Sequence, residues 1–163
     1  MRRLVVIVGG VLVLAAANTG IYQKEQLLHS GRSVLLELAP VDPRSLMQGD
    51  YMALRFKVAD DAFRSLPGET LDDGRVVLAV DKRGVGRFTR FDDGTPLAPG
   101  EVVMRYRVRN RTPKFATNAF FFQEGHAEFY ARARYGEFRV ASSGEAMLTG
   151  LRGEALDVLG PPR

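Results

Sequence analysis

An uncharged run from Leu4 to Gln23 follows Arg2 and Arg3 at the start of the chain, and it constrains the fold more than any other feature. About 20 uncharged residues rising about 1.5 Å each match a hydrocarbon core of about 30 Å, so a helix here suits a bilayer better than a protein interior. The densest part, Leu4 to Ala17, has the length of a signal-peptide core, and Ala15-Ala16-Ala17 provides small residues of the kind cleaved behind one. Apolar character nevertheless resumes at Ile21-Tyr22, with Tyr22 where an interfacial aromatic would sit. We read residues 1–28 as an uncleaved signal anchor, with a cleaved signal peptide as the alternative. Arg2, Arg3 and the amino terminus carry positive charge at one end, whereas Lys24 and Glu25 cancel at the other, which keeps the N-terminus cytoplasmic. The rest of this single-pass chain is then expected outside the cytoplasmic membrane, in the periplasm of a two-membrane bacterium.

Residues 29–163 have the length of one domain with its own core. Apolar residues make up 45% of the chain and charged residues 26%, and the 17 glycines and 8 prolines fall mostly at turn-like positions, a globular rather than a disordered profile. A formal charge of +4 without a basic tail argues against a nucleic-acid binder and leaves at most an affinity for anionic surfaces. The absence of cysteine excludes disulfides, thiolate metal sites and cysteine nucleophiles. With His29 and His126 as the sole histidines, a histidine-rich metal site or a Ser-His-Asp triad has almost no candidates, and no metal or cofactor is expected.

From Ser33 the apolar period shortens to two, and the chain reads as mainly β with one or two short helices, a compact sheet or barrel-like domain behind the N-terminal helix. Strands are expected at 33–39, 51–58, 74–81, 86–91 and 101–109, with a helical turn at 60–68 closed by Pro67-Gly68. In 51–58, Met52, Leu54, Phe56 and Val58 alternate with Tyr51, Ala53, Arg55 and Lys57, so one face is core. A strand within 115–125 ends on Phe120-Phe121-Phe122, which reads as core although three consecutive rings cannot share one side. The stretch 126–136 fits a helix with Ala127, Tyr130, Ala131 and Arg134 on one face or a strand with Phe129, Ala131, Ala133 and Tyr135 on one side. Its alanine content and Gly136 as a stop favour a short helix, and 137–151 predicts a hairpin around Ser142-Ser143-Gly144.

Arg105, Arg107, Arg109 and Arg111 alternate onto one side of their strand and its extension. Such a row reads first as a solvated outer face, and otherwise as a contact for lipid headgroups or an acidic partner. Asp50, behind Gly49, occupies a turn position where a carboxylate accepts backbone N–H groups and sets the register of the strand starting at Tyr51.

The segments "PRSLMQGDY" and "VDKRGVG" resemble type I signal peptidases, a likeness that implies Ser45 as nucleophile and Lys82 as general base. The spacing departs from that family's: counting back from Gly49-Asp50 to the nucleophile position lands on Val41, and the proline is one residue out of place. The stretch "DPRSLMQGDYMALRF", followed by "FFFQEGHAEFYARARYGEFRV" and "SSGEAMLTGLRGE", resembles the bacterial GDYXXLXY protein family over nearly the whole chain. Gly49, Asp50, Tyr51 and Leu54 match its motif, while Phe56 stands where the motif has tyrosine, which keeps a packing role and removes a hydroxyl. An anchor ahead of "LLELAPVDPRSL" is part of the resemblance, and members occur alongside multi-spanning membrane proteins, which implies an integral membrane partner. No activity comes with the likeness.

The expected function is an accessory or interaction module for a membrane protein, with unknown ligand. Gly49, Asp50, Tyr51 and Leu54 shape one region, and Glu124, Gly125, Tyr130 and Tyr135 form a second polar-aromatic region that could pack beside it. The alternative is a hydrolase, using either Ser45 with Lys82 or the carboxylates of Asp50 and Glu124.

Overall fold

The computed structural model describes residues 2–39, 47–48, 51–64, 72–110 and 112–162. Helix α1 (Arg2–Ser30) is followed by β1 (Arg32–Glu37), β2 (Met47–Gln48), β3 (Tyr51–Ala53), α2 (Lys57–Phe63), β4 (Gly74–Val80), β5 (Gly86–Phe91) and β6 (Glu101–Arg109). The chain continues through β7 (Thr112–Lys114), β8 (Ala119–Phe121), α3 (Ala127–Tyr130), β9 (Tyr135–Val140) and β10 (Ala146–Arg152). The domain is mainly β, as expected.

Within α1, Val6–Ser30 is long and apolar enough to cross a membrane, and none of its most apolar window is buried by the protein. Its two polar interior side chains bond back to the helix: Asn18 Nδ2 donates to the Leu14 carbonyl at 2.9 Å and the Thr19 hydroxyl to the Ala15 carbonyl at 2.8 Å. Bonds of this kind reduce the cost of carrying these polar groups into an apolar medium. Among the described residues, α1 meets the domain at its C-terminal end, where Leu27 is buried.

The strands pair antiparallel in three sheets, with orders β1-β9-β10, β2-β3-β8 and β5-β4-β6-β7. Isolated bridges stitch them together: Leu35 to Val85 links β1 to the start of β5, and Leu38 to Phe56 links the end of β1 to the chain after β3. Register shifts between Leu148 and Gly150 on β10, and between Val77 and Leu78 in the β4–β5 pair, add the local bend that curls the sheets into a half-barrel. Leu36, Phe56, Leu78, Met104, Phe115, Phe138 and Leu151 fill it, each at most 1% exposed. The β4 run Val76-Val77-Leu78 is fully buried on both faces because β4 lies inside its sheet and is covered on both sides, hence its unbroken apolar sequence.

Turn chemistry agrees with the sequence. Asp81 Oδ1 accepts the Arg83 and Val85 amides at 2.8 and 2.9 Å, closing the β4–β5 turn. Chiefly through the Val85 amide, these bonds hold its carboxyl below the ordinary range. The 137–151 hairpin forms as predicted, running from β9 through Ser142-Ser143-Gly144 to β10.

Two elements differ from expectation. The strand predicted at 51–58 stops at Ala53, and Phe56 is both a bridge residue and the extended N-cap of α2, which starts at Lys57 rather than Asp60. Burial follows the predicted alternation all the same, because Val58 and Ala62, four apart, form the inner face of a helix as readily as Met52, Leu54, Phe56 and Val58 form that of a strand. The predicted stop at Pro67-Gly68 lies outside the described residues. In 126–136 the helix is confined to Ala127–Tyr130, and Gly136 lies inside β9, so it ends no helix. There the strand wins because Gly136 pairs with Leu36 and Leu151 on both sides, and its missing side chain makes room for Phe56.

Candidate functional site

Strand β3 carries the motif. Gly49 and Asp50 lie outside the described residues, as do Ser45 and Val41. Tyr51 is half-buried and opens β3, where antiparallel register places it opposite Phe121, with Met52 opposite Phe120 and Ala53 opposite Ala119. The Tyr51 and Phe121 rings lie 5.8 Å apart and tilted by 40°, and Phe121 is 73% exposed. Phe120 and Phe122 turn the other way onto Tyr130, at 5.0 and 5.4 Å between ring centres. Of the three consecutive phenylalanines, two therefore serve the core and the third stays in the open beside the motif tyrosine, an arrangement forced by alternation along a strand.

Beyond Ala53 the motif turns inward. The Leu54 amide donates to the Asn118 carbonyl at 2.7 Å and its side chain is buried. Phe56 meets Phe138 edge-on at 5.2 Å, and a β-carbon at Gly136 would come within 2.8 Å of the Phe56 ring. The motif's last position is thus a packing position in this chain. Between these two, Arg55 points to solvent and its guanidinium holds Asp60 Oδ1 at 2.7 Å, while its carbonyl accepts the Ala39 amide.

Two clefts adjoin Arg55. One of about 660 Å³ lies among Leu54, Phe56, Asp60, Phe63 and Asn118; the other, of about 500 Å³, lies among Leu38, Met52, Arg132, Ala133 and Asp157. In the first, Asn118 Oδ1 is buried and has no hydrogen-bond partner among the described residues. An unpaired buried acceptor is costly, and Asn118 lines this cleft together with the Arg55–Asp60 ion pair. Arg55, Asp60 and Asn118 were missed by the sequence reading; the alternation marked Arg55 as outward-facing, but nothing in the spacing pairs it with Asp60.

The second predicted region is only partly assembled. Tyr130 is buried and packs on Phe120, which lies opposite Met52 of β3. Glu124 is exposed in a turn whose Gly125 takes a φ of +80°, and Tyr135 sits on β9 opposite Glu37 and Arg152, in a different sheet. Lys82 is exposed in the β4–β5 turn, without the burial that a Ser–Lys dyad depends on. Arg105, Arg107 and Arg109 all face solvent on β6, as their alternation predicted, and Arg111 is not described. Among the described residues no group of three His, Asp or Glu side chains could hold a metal ion.

No curated protein and no solved structure matches this chain. The family model described as GDYXXLXY protein matches residues 13–151, from within α1 to the last core strand and through the β3 motif, and the chain belongs to that family.

Proposed function

We propose that this chain is a single-pass, membrane-anchored domain, exposed on the extracytoplasmic side, that serves as an accessory module for an integral membrane protein. The observation that carries the reading is the junction between α1 and the half-barrel. The helix is not tethered by a loose linker: Leu27 is buried against the domain, the Gly31 amide donates to the Leu27 carbonyl at 3.0 Å, and Arg139 donates to the Gly31 carbonyl at 3.3 Å. Lys24 pairs with Glu145 of the β9–β10 turn at 2.5 Å. Val6, Ile7, Val11, Leu12, Val13 and Leu14 remain open around the rest of the helix, an apolar surface that lipid would cover. Positive charge at Arg2 and Arg3 favours a cytoplasmic N-terminus.

Such a junction holds the domain at a set height and angle above the bilayer, which suits a module that presents a face to a neighbouring membrane protein. The face best suited is the β3–β8 pair, where Phe121 stands exposed beside Tyr51 on a three-stranded sheet with β8 at its edge. A photocrosslinking amino acid at Phe121, in cells expressing the chain at its native level, is expected to yield one adduct with an integral membrane protein. The same probe at Leu97, exposed in the β5–β6 loop, is expected to yield none. No adduct at Phe121, or the same adduct at both positions, would sink the reading.

A further inference from the structure

Strand β6 and its neighbour β7 present a basic face that the role above does not use. Arg107 is directly opposite Lys114 in the β6–β7 register, and Arg105 is directly opposite Arg75 in the β4–β6 register. Like charges directly across a pair of strands repel, so each such pair works against the sheet. Part of the repulsion is relieved: Arg75 pairs with Asp92 at 2.8 Å and Arg109 with Asp73 at 3.3 Å. Arg105, Arg107 and Lys114 have no ion-pair partner among the described residues, and all three are exposed. They line a groove of about 310 Å³ together with Lys24 and Glu145.

Lys24 fixes where this groove sits. It belongs to α1, 18 positions after Val6, which is about 27 Å along a helix axis and so close to the full depth of a hydrocarbon core. If α1 crosses the bilayer, Lys24 emerges at the level of the headgroups, and the groove that shares it lies at the same level. Lys24, Arg105, Arg107, Arg109 and Lys114 outnumber the carboxylates of Glu145 and Asp73 there. We propose that this face, Arg105, Arg107 and Lys114 together with Lys24, seats on the anionic phospholipid headgroups of the leaflet from which α1 emerges. The phosphates then neutralise the row that the sheet alone leaves repelling, and the domain is held down on the bilayer at two places, the helix and the arginine strand. This inference rests on the membrane-anchored reading.

The chain has no cysteine, so a single Ser142→Cys in the exposed β9–β10 turn carries a fluorophore without further changes. Gly144 of the same turn accepts the Arg105 amide at 2.8 Å, so the label reports on this face. The labelled full chain is placed in phosphatidylcholine nanodiscs containing equal trace fractions of a spin-labelled quencher, either phosphatidylglycerol or phosphatidylcholine. At low salt the anionic quencher is expected to act several-fold more strongly than the zwitterionic one. The preference should shrink with each of Arg105→Gln, Arg107→Gln and Lys114→Gln, be lost in the triple variant, and disappear at high salt. Equal quenching by both lipids in the parent chain overturns the proposal, as does a preference that survives the triple substitution in a protein with unchanged circular dichroism. Quenching by neither lipid, in chains that co-migrate with the discs, places the face away from the bilayer and also overturns it. Failure of the chain to enter discs of either composition instead sinks the anchored reading itself.

Discussion

Phe56 and Gly136 form a matched pair of residues. The ring is 1% exposed and leans on Phe138, and Gly136 is the only residue type that leaves it space, since an added β-carbon would sit 2.8 Å from the ring and 3.2 Å from Phe138. Phe56→Ala empties that volume and is expected to cost about 3–5 kcal/mol, read as a lower denaturation midpoint of the full chain in detergent micelles by near-ultraviolet circular dichroism. Gly136→Ala overfills it, for about 1–3 kcal/mol. Combining Gly136→Ala with Phe56→Leu should cost less than the sum of the two single changes, because the smaller side chain yields space; strict additivity would show that the two residues do not share the site. None of this was visible in the spacing. Periodicity marked Phe56 as inward-facing, but the need for glycine at 136 arises only when a strand 80 residues later is laid beneath the ring.

At the scale of elements, the informative case is how α1 ends. Its last turns are fastened to the β9–β10 hairpin, and the Lys24 hydrogen bond, aided by the charges of Lys24, Arg105 and Arg107, holds the Glu145 carboxyl below its ordinary value of 4.5. A carboxylate with a depressed folded pKa contributes stability that is fully present above its unfolded value. That contribution disappears as pH falls through the lower folded value. Both side chains are about half exposed, at 53% and 50%, so the pair is worth at most about 1 kcal/mol. Hydrogen exchange at the Gly31 amide, which is bonded to Leu27, should therefore quicken severalfold relative to its intrinsic rate on acidification below about pH 4. In Glu145→Gln it should be fast already at pH 7 and no longer respond. An unchanged rate in the variant would mean that Leu27 and Arg139 hold the helix without the pair. Strand and hairpin positions at 74–80, 86–91, 101–109 and 135–152 were close to those read from alternation and turn residues. The errors fell at 54–58 and 126–136, where short runs of alternating apolar or alanine-rich residues fit a strand and a helical turn equally well.

For the whole molecule, the questions are which side of a membrane the half-barrel occupies and what it meets there. On the proposed orientation, protease added to spheroplasts is expected to digest the domain and leave the N-terminal arginines protected; protection of an intact C-terminus would reverse the topology. The three sheets enclose one core because of a few bridges, Leu35 to Val85 and Leu38 to Phe56, together with the Arg105 to Gly144 bond that brings the β9–β10 turn onto β6. That last bond also brings Glu145 and Lys24 to the arginine row, so the charged groove, like the core, is a product of closure.

The sequence alone determined the apolar N-terminal helix, the mainly β domain behind it, family membership through Gly49, Asp50, Tyr51 and Leu54, and the outward direction of Arg105, Arg107 and Arg109. These depend on local chemistry: hydropathy over a span, period-two alternation, turn residues and a contiguous motif, all of which act between near neighbours. Tertiary structure alone decided that Phe121 stands open beside Tyr51 while Phe120 and Phe122 serve the core, that Phe56 requires Gly136, that Asn118 buries an oxygen with no partner among the described residues, and that Lys24 joins the arginine face. Each depends on segments far apart in the chain meeting in one register, and such pairings are set by how the whole core closes rather than by any local preference.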